Sequence, residues 1–156
     1  KAVDYREFDC REDYVPRFNF HLTDLQAAMG IVQISKLPTL LSKRNEIARC
    51  YRDICNRKGW CFQQPVREDF TPNWYRFVLK GDYQLLRSLR DRLEKNGIRT
   101  VIPIEKWELL HNYLGMDANE FPVAEKVSTT TLSLPIYPGL LNDNGLERIL
   151  TVLKNA

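Results

Sequence analysis

The stretch RFNFHLTDLQAAMG, residues 17–30, contains the clearest helix start in the chain. Thr23 and Gln26 have the spacing of a capping box, and Asp24 falls in the first turn, where the helix dipole favours a negative charge. Apolar residues then recur at helical spacing and form one stripe, made of Leu25, Ala28, Met29 and Val32. The pattern predicts an amphipathic helix whose stripe packs inward.

Asn19 lies outside this explanation, because it precedes the cap by four residues. One interpretation is an ordinary turn residue just before a helix, which is a common use of asparagine. The other is a functional amide, whose direction Phe18 and Phe20 on either side would hold. The residues alone leave both interpretations open.

A second helical pattern follows at Pro38, which suits the first turn of a helix because its missing N–H would have no partner there. One face of this pattern carries Leu40, Ile47, Tyr51 and Ile54. Arg57 and Lys58 near the end, followed by Gly59, are typical of a helix C-terminus. The sequence therefore predicts a helical pair over residues 17–58, preceded by an irregular arm over residues 1–16.

The rest of the chain, residues 59–156, alternates short strands with helices. The predicted strands are WCFQQ (60–64), NWYRFVLKG (73–81), IRTVIPI (98–104) and LSLP (132–135), which are rich in aromatic and β-branched residues or alternate in polarity. The predicted helices are residues 82–97, 107–113, 121–130 and 143–153. In the first of these, Asp82 is the predicted N-cap, Asn96 and Gly97 close the C-terminus, and Leu85, Leu86, Leu89 and Leu93 face inward. This predicts a single α+β domain over residues 1–156, since the strands are too few and too unevenly spaced for a doubly wound sheet.

Composition excludes several functional classes. With 23 Lys and Arg against 20 Asp and Glu, the net charge of +3 is too small to argue for nucleic acid or an anionic membrane. No apolar run approaches the roughly 20 residues of a membrane-spanning helix, so a cytoplasmic location is expected. The four cysteines lack the paired spacing of a zinc site, and only two histidines accompany them, so no metal is predicted. No self-sufficient catalytic constellation is evident.

Two long motifs carry a resemblance to a known family. The segment FNFHLTDLQAAMGIVQISKLPTLLSKRNEIARCYRD (18–53) and the segment FPVAEKVSTTTLSLPIYPGLLNDNGLERILTVLK (121–154) occur in this order. Both closely resemble motifs of the DegT/DnrJ/StrS-type aminotransferases, which depend on pyridoxal phosphate (PLP). The resemblance extends over nearly the whole chain, from about residue 14 to residue 154.

The resemblance implies the C-terminal small domain of the aspartate-aminotransferase (PLP type I) fold: two N-terminal helices, then a small, mostly antiparallel sheet packed with helices. The Schiff-base lysine of such enzymes lies upstream, in a large domain, so this chain is expected to be inactive alone. The whole enzyme is expected to be a cytoplasmic homodimer of polysaccharide or lipopolysaccharide sugar biosynthesis. It would transfer an amino group from glutamate or glutamine to a nucleotide-linked keto sugar. The alternatives are part of a PLP/PMP-dependent sugar dehydratase, or a non-catalytic dimerisation or regulatory module.

The resemblance also implies roles for individual residues. The family's asparagine at the position of Asn19 hydrogen-bonds the phosphate of the neighbouring subunit's PLP, and a neutral amide suits this role. His21 falls where the family usually has Arg or Lys, a residue associated with the phosphates of the substrate. Arg17, where the family often has Gly, either compensates for His21 or is a solvated surface arginine.

Trp107 and His111 lie where the family often has a Pro-Leu-His run that shapes the sugar-nucleotide pocket. At a spacing of one helical turn, both could line one wall of the substrate site, with the indole stacked on a sugar or base. The alternative is that Trp107 belongs to the core and His111 is an ordinary surface residue.

Overall fold

A computed structural model of the chain describes residues 12, 16, 21–65, 67 and 69–156. The chain consists of two compact units, residues 1–38 and 39–156, whose boundary falls within the predicted helical pair. In the part of the chain that is described, none of the helices combines the length and the apolar character that crossing a membrane requires.

Helix α1 (Asp24–Lys58) begins as the sequence predicts. The Gln26 N–H donates to Thr23 Oγ1 at 3.3 Å, and the Thr23 N–H donates to Gln26 Oε1 at 3.0 Å. The two helices predicted around Pro38 are wrong, however, because α1 continues through this proline as one helix. Proline removes one hydrogen-bond donor from the helix, and the Ile34 carbonyl that loses its partner belongs to an exposed residue, so water can satisfy it.

The C-terminus of α1 is also as predicted. Gly59 has φ 66°, in the left-handed region that glycine adopts without strain. The chain then turns back on the helix, because the Trp60 N–H donates to the Cys55 carbonyl at 2.9 Å. This bond satisfies a carbonyl that the helix itself leaves without a partner.

In the unit of residues 1–38, the apolar stripe of α1 is exposed. Leu25 is 73% exposed and Met29 61%, and Ile34 on the same part of the helix is 70% exposed. The prediction that the stripe packs inward is therefore wrong for the part of the unit that is described. The apolar side chains of this stripe can therefore contact a surface that lies outside the described residues of the unit.

The described residues of the unit 39–156 form a three-stranded antiparallel sheet in the order β1 (Cys61–Phe62), β2 (Phe77–Lys80) and β3 (Thr131–Leu134). In the register, Phe62 pairs with Leu79, and Phe77 pairs with Leu134. The strand predicted at 98–104 is reduced to one bridge, in which Val101 and Ser133 exchange both backbone hydrogen bonds. Pro103 has no N–H to continue the ladder, which explains why the pairing stops there.

Further helices follow along the chain, and the first and the last of them contribute side chains to the core cluster that contains Phe77. They are α2 (Tyr83–Lys95), α3 (Leu110–Tyr113), α4 (Pro122–Thr129) and α5 (Gly145–Lys154), with 3₁₀ turns at Lys106–Glu108, Ala118–Glu120 and Pro138–Leu141. Asp82 caps α2 as predicted, by accepting from the Gln84 N–H at 2.8 Å. The inner face of α2 consists of Leu86, Leu89 and Leu93, whereas Leu85 is 47% exposed, so its predicted inward position is wrong.

An aromatic cluster lies at the centre of the core. The Phe77 ring, which is fully buried, contacts three other rings, with centroid distances of 5.2 Å to Tyr51, 5.4 Å to Phe62 and 5.6 Å to Trp74. The Tyr51 hydroxyl donates to the carbonyl of Pro135, at the end of β3, at 2.7 Å. Burial raises the pKa of this hydroxyl above its ordinary value, which keeps it protonated and able to donate. The cluster thus connects α1 to two strands.

We expect Tyr51→Phe to lower the free energy of unfolding by about 1–3 kcal/mol, because it leaves the Pro135 carbonyl without its partner while conserving the ring. The measurement is urea unfolding followed by circular dichroism. Tyr113→Phe is the matched control, because Tyr113 is 83% exposed, and it should change the value by less than about 0.5 kcal/mol. Equal effects of the two substitutions would contradict the structural role of the Tyr51 hydroxyl.

Candidate functional site

The predicted site residues fall in different parts of the chain. Arg17 and Asn19 lie outside the described residues, so their predicted roles stay predictions. His21 is exposed and precedes the start of α1 by three residues, in the unit of residues 1–38. Trp107 and His111 belong to the unit of residues 39–156.

Trp107 and His111 do not share a helix. Trp107 is in the 3₁₀ turn Lys106–Glu108, whereas His111 is in α3, and the extended backbone of Leu109, with ψ 123°, separates the two. Trp107 is 76% exposed, while His111 is only 5% exposed. The predicted common wall is therefore wrong, and so is the alternative of a core tryptophan beside a surface histidine. Trp107 is the exposed residue of the pair and His111 the buried one, because the helical backbone is interrupted at Leu109.

His111 is held in a buried contact with α4. Its ring stacks on Phe121 with a centroid distance of 4.7 Å and an interplanar angle of 10°, and its Nε2 lies 2.9 Å from Glu125 Oε1. An ionised carboxylate can only accept, so Nε2 must carry a proton and donate. His111 thus ties α3 to α4 and is not exposed toward a ligand.

Glu125 also holds the turn that carries Trp107. Its second oxygen, Oε2, lies 3.2 Å from Lys106 Nζ, and the carbonyl of Lys106 accepts from Asn112 Nδ2 at 2.8 Å. The turn is closed from within, because the Glu105 N–H donates to the Glu108 side chain at 2.8 Å. The exposed indole of Trp107 therefore projects from a segment that is fixed on both sides.

The electrostatics of this cluster are dominated by the histidine. The hydrogen bond from His111 lowers the pKa of the Glu125 carboxyl below its ordinary value, although partial burial acts in the opposite direction. The nearby Lys106 ammonium lowers the pKa further. Glu125 is therefore ionised in the folded protein over a wider pH range than a free carboxyl.

The face of the sheet opposite to Phe77, its outer face, carries clefts that the sequence reasoning did not find. One of them has a volume of about 440 Å³ and extends from the segment after β1 to Pro103 and Ile104. Tyr75 and Arg76, which precede β2, and Val78 within it also line this cleft. The alternation of Arg76 and Val78 with the buried Phe77 was a usable signal, because successive residues of a strand point to opposite faces.

The described residues contain no cluster of three or more His, Cys, Asp or Glu side chains that could hold a metal ion. The sulfur of Cys55 is buried, and burial raises the pKa of its thiol to about 11, so it is an unreactive core group.

Comparison with known proteins identifies the fold and the family. The sequence profile of the DegT/DnrJ/EryC1/StrS aminotransferases matches residues 4–154. The chain belongs to this family. Its fold matches TlmJ, an aminotransferase from Streptoalloteichus hindustanus, with a TM-score of 0.77 at 23% identity over 92% of the chain and 39% of TlmJ. The α+β fold class and the small antiparallel sheet predicted from the sequence are confirmed.

Two further relatives of this aminotransferase family are informative. The spore coat polysaccharide biosynthesis protein SpsC from Bacillus subtilis is 26% identical over 90% of the chain and 39% of its own length. Spr1654 from Streptococcus pneumoniae, solved in its PLP form, has a TM-score of 0.72 at 19% identity, over 90% of this chain and 37% of its own. The chain spans about two fifths of the length of the curated relatives it matches.

The clefts on the outer face of the sheet do not by themselves provide a site for PLP, the cofactor of this family. A PLP site needs a lysine for the Schiff base and a charged partner for the pyridine nitrogen. These three clefts are lined by arginine, lysine, amide, hydroxyl and apolar side chains, and among their described lining residues there is no carboxylate. No step of a reaction can be assigned to these residues through the cofactor.

We expect the stability of the chain to fall as the pH is lowered through the depressed pKa of Glu125. A carboxyl with a lowered folded-state pKa contributes stability above its unfolded pKa, roughly 4.3, and this contribution is lost as the pH falls through the folded value. Glu125→Gln should therefore lower the melting temperature at pH 7 and reduce its decline between pH 5 and 3. The measurement is thermal unfolding as a function of pH.

The control for this experiment is Glu46→Gln, which removes an exposed carboxylate on α1 without a hydrogen-bond or ion-pair partner in the described part of the chain. It should leave the acid-induced decline as in the unmodified protein. If both substitutions reduce the decline equally, the effect would come from net charge, and the assigned role of the His111 and Glu125 contact would be wrong.

Proposed function

We propose that this chain is the C-terminal small domain of a PLP-dependent nucleotide-sugar aminotransferase. The observation that carries the proposal is the family match over residues 4–154. The name of SpsC, a polysaccharide biosynthesis protein, supports a role in polysaccharide or lipopolysaccharide sugar biosynthesis. The proposed reaction transfers an amino group from glutamate or glutamine to a keto sugar, in the cytoplasm.

PLP supplies the electron sink of this reaction when it is bound, and the protein supplies position and phosphate anchoring. In the proposed enzyme, the lysine that forms the Schiff base belongs to a large domain upstream of this chain. The chain's share of about two fifths of its relatives' length supports a larger domain over the remaining three fifths. The chain alone is therefore proposed to lack transaminase activity.

Asn19 is proposed to hydrogen-bond the phosphate of the PLP bound by the neighbouring subunit of a homodimer. Its amide can donate two N–H bonds to phosphate oxygens without adding a charge near the pyridine ring. The capping box at Thr23 and Gln26 supports this role, since it holds the helix start only four residues away. The exposed apolar stripe of the same unit supports a partner subunit, because apolar patches of this kind mark interaction surfaces.

His21 and Arg17 are proposed to contact the substrate near its phosphates. An imidazole can donate a hydrogen bond but lacks the permanent charge and the planar fork of a guanidinium, so His21 would bind an anion more weakly than arginine. Arg17 retains a permanent charge and would compensate for this loss. Both residues precede α1 within a few positions of Asn19, which supports a shared site.

Trp107 is proposed to stack on the sugar or base of the substrate. Its indole is 76% exposed, and its turn is held by the contacts of Lys106 and Glu108. An exposed ring on a fixed segment loses little conformational freedom on binding, which favours stacking. His111, which is buried, is proposed to position this segment through Glu125 and not to contact the substrate.

The experiment that tests the proposed function is Asn19→Ala in the complete enzyme, in which this chain is joined to its upstream domain. Loss of one hydrogen bond to a charged group should weaken PLP binding roughly tenfold or more. The measurement is an absorbance titration of the cofactor, with turnover of a panel of nucleotide-linked keto sugars. Asn56→Ala, at an exposed position of α1, is the control and should leave PLP affinity unchanged. Unchanged affinity in Asn19→Ala would contradict the phosphate contact.

A second substitution in the complete enzyme tests the stacking role. Trp107→Leu should raise the KM for the sugar substrate roughly two- to tenfold, because an aromatic contact contributes about 0.5–1.5 kcal/mol beyond its buried area. The kcat should change little, since the ring lies far from the reacting bonds in this proposal and binds ground and transition states alike. Tyr83→Leu, on α2, is the control. An unchanged KM in Trp107→Leu would place the substrate elsewhere.

A further inference from the structure

A second cleft on the outer face of the sheet has a volume of about 250 Å³ and is lined by an unusual set of polar groups. The polar side chains are those of Tyr75, Arg76, Arg99 and Ser133. The cleft lies within the unit of residues 39–156, and none of its lining residues, all of them in the described part of the chain, is acidic.

The sheet topology brings the two arginines to this cleft from distant parts of the sequence. Phe77 pairs with Leu134, so the antiparallel register continued by one residue places Arg76 opposite Pro135. Val101 pairs with Ser133 on the other side of β3, and this register continued by two residues places Arg99 opposite Pro135 as well. Two strand spacings separate the backbones by about 10 Å, which two extended arginine side chains can span.

Neither arginine has its charge satisfied by the protein. Among the described residues, no hydrogen-bond or ion-pair partner is found for the guanidinium of Arg76 or of Arg99. Other arginines of the chain do pair, as Arg67 does with Asp69 at 2.6 Å and Arg90 with Glu94 at 3.4 Å. The Arg76 guanidinium lies 5.6 Å from the centre of the Tyr75 ring, a contact that orients it and leaves its N–H groups available.

The hydroxyl of Ser133 also lines this cleft. Ser133 is only 6% exposed, and its side chain has no hydrogen-bond partner in the described part of the chain. The neighbouring hydroxyls of Ser128 and Thr131 both donate to backbone carbonyls, each at 2.8 Å. The Ser133 Oγ is not sealed in the core, because the buried polar atoms without a partner among the described residues are Arg44 Nε and Thr100 Oγ1. It can therefore donate to a ligand in the cleft, beside two unpaired guanidinium groups.

We propose that the cleft between Arg76, Arg99 and Ser133 binds a phosphoryl group. A phosphoryl dianion offers three acceptor oxygens, and its charge of about −2 matches two guanidinium groups better than a single carboxylate does. The planar fork of arginine suits phosphate oxygens, and the serine hydroxyl donates a third bond. The volume of about 250 Å³ accommodates one phosphoryl group or two linked ones. The binding measurement needs no cofactor, so this proposal stands or fails independently of the aminotransferase reaction.

The test is calorimetric titration of the 156-residue chain with inorganic phosphate and, separately, with uridine diphosphate, at low ionic strength. Both ligands should bind, and affinity should fall as salt is added. Tighter binding of uridine diphosphate would assign the phosphoryl group to a nucleotide, and equal binding would assign it to free phosphate. Binding of neither ligand at millimolar concentration would overturn the proposal.

Substitutions locate the binding in the cleft. Arg76→Gln and Arg99→Gln should each weaken binding roughly tenfold or more, and Ser133→Ala should weaken it less, because a neutral donor contributes less than a charged one. Arg76→Lys should retain part of the affinity, since it keeps the charge and loses the fork. Arg52→Gln is the matched control, because it removes the same charge at an exposed position of α1 that does not line the cleft.

The comparison between the variants decides the outcome. Weakened binding in both cleft variants with unchanged binding in Arg52→Gln supports the site. Equal weakening in all three would show a non-specific effect of net charge and would overturn it. Thermal unfolding of each variant confirms that it is folded, and Arg99→Gln keeps the test decisive if Arg76→Gln does not fold, because Arg99 is exposed.

Discussion

The contacts of the Phe77 ring are the constraint on which the unit of residues 39–156 depends. This ring is fully buried and touches Tyr51 of α1, Phe62 of β1 and Trp74 in the segment before β2. Aromatic contacts of this kind stabilise beyond the area they bury, and here they join segments that are distant in sequence. The Tyr51 hydroxyl extends the connection to Pro135 after β3. These contacts fix the part of α1 around Tyr51 against the sheet.

The register has a consequence for the other face of the sheet. Because side chains alternate along a strand, the inward direction of Phe77 sets the outward direction of Arg76 and Val78. The pairing of β3 on both of its edges then brings Arg99 to the same face. Helices α1, α2 and α5 share the core with Phe77 on the inner face, whereas clefts lie on the outer face, one of them lined by Val127 of α4. The same packing that closes the core thus creates the surface on which we propose ligand binding.

The segment between the bridge at Val101 and α4 is stabilised by polar contacts and not by core packing. It has few core contacts, and polar interactions hold it through Glu125, which contacts both Lys106 and His111. Polar contacts of this kind depend on pH, whereas the aromatic core does not. A segment that is fixed by charges can present an apolar ring such as Trp107 to a ligand without burying it.

Local patterns in the sequence were sufficient for the helix ends. The capping box at Thr23, the N-cap at Asp82 and the left-handed glycines at Gly59 and Gly97, with φ 66° and 72°, are all as predicted. These features depend on side chains and backbone groups within a few residues of each other. Their energies therefore do not depend on how the rest of the chain folds. The family motifs could likewise be recognised from the sequence, because each of them is one contiguous stretch.

The errors concern features that depend on distant residues. Pro38 weakens a helix because it removes one hydrogen-bond donor, but α1 nevertheless continues through it. Residues 98–104 alternate in polarity as a strand does, yet they form only one bridge. A strand also needs a partner edge and N–H groups that can pair with it, and Pro103 has no N–H. The burial of His111 required Phe121 and Glu125 of another helix, which its own neighbours in sequence could not indicate.

The sequence by itself therefore determined the helix caps at Thr23, Gly59, Asp82 and Gly97, the α+β class and the family, since these follow from local spacing and contiguous motifs. Only the tertiary structure decided which face of the sheet is closed, that Trp107 is exposed while His111 is buried, and that Arg76 and Arg99 share a cleft. The physical reason is that burial and charge proximity depend on the pairing of segments far apart in the chain. That pairing is set by the packing around Phe77.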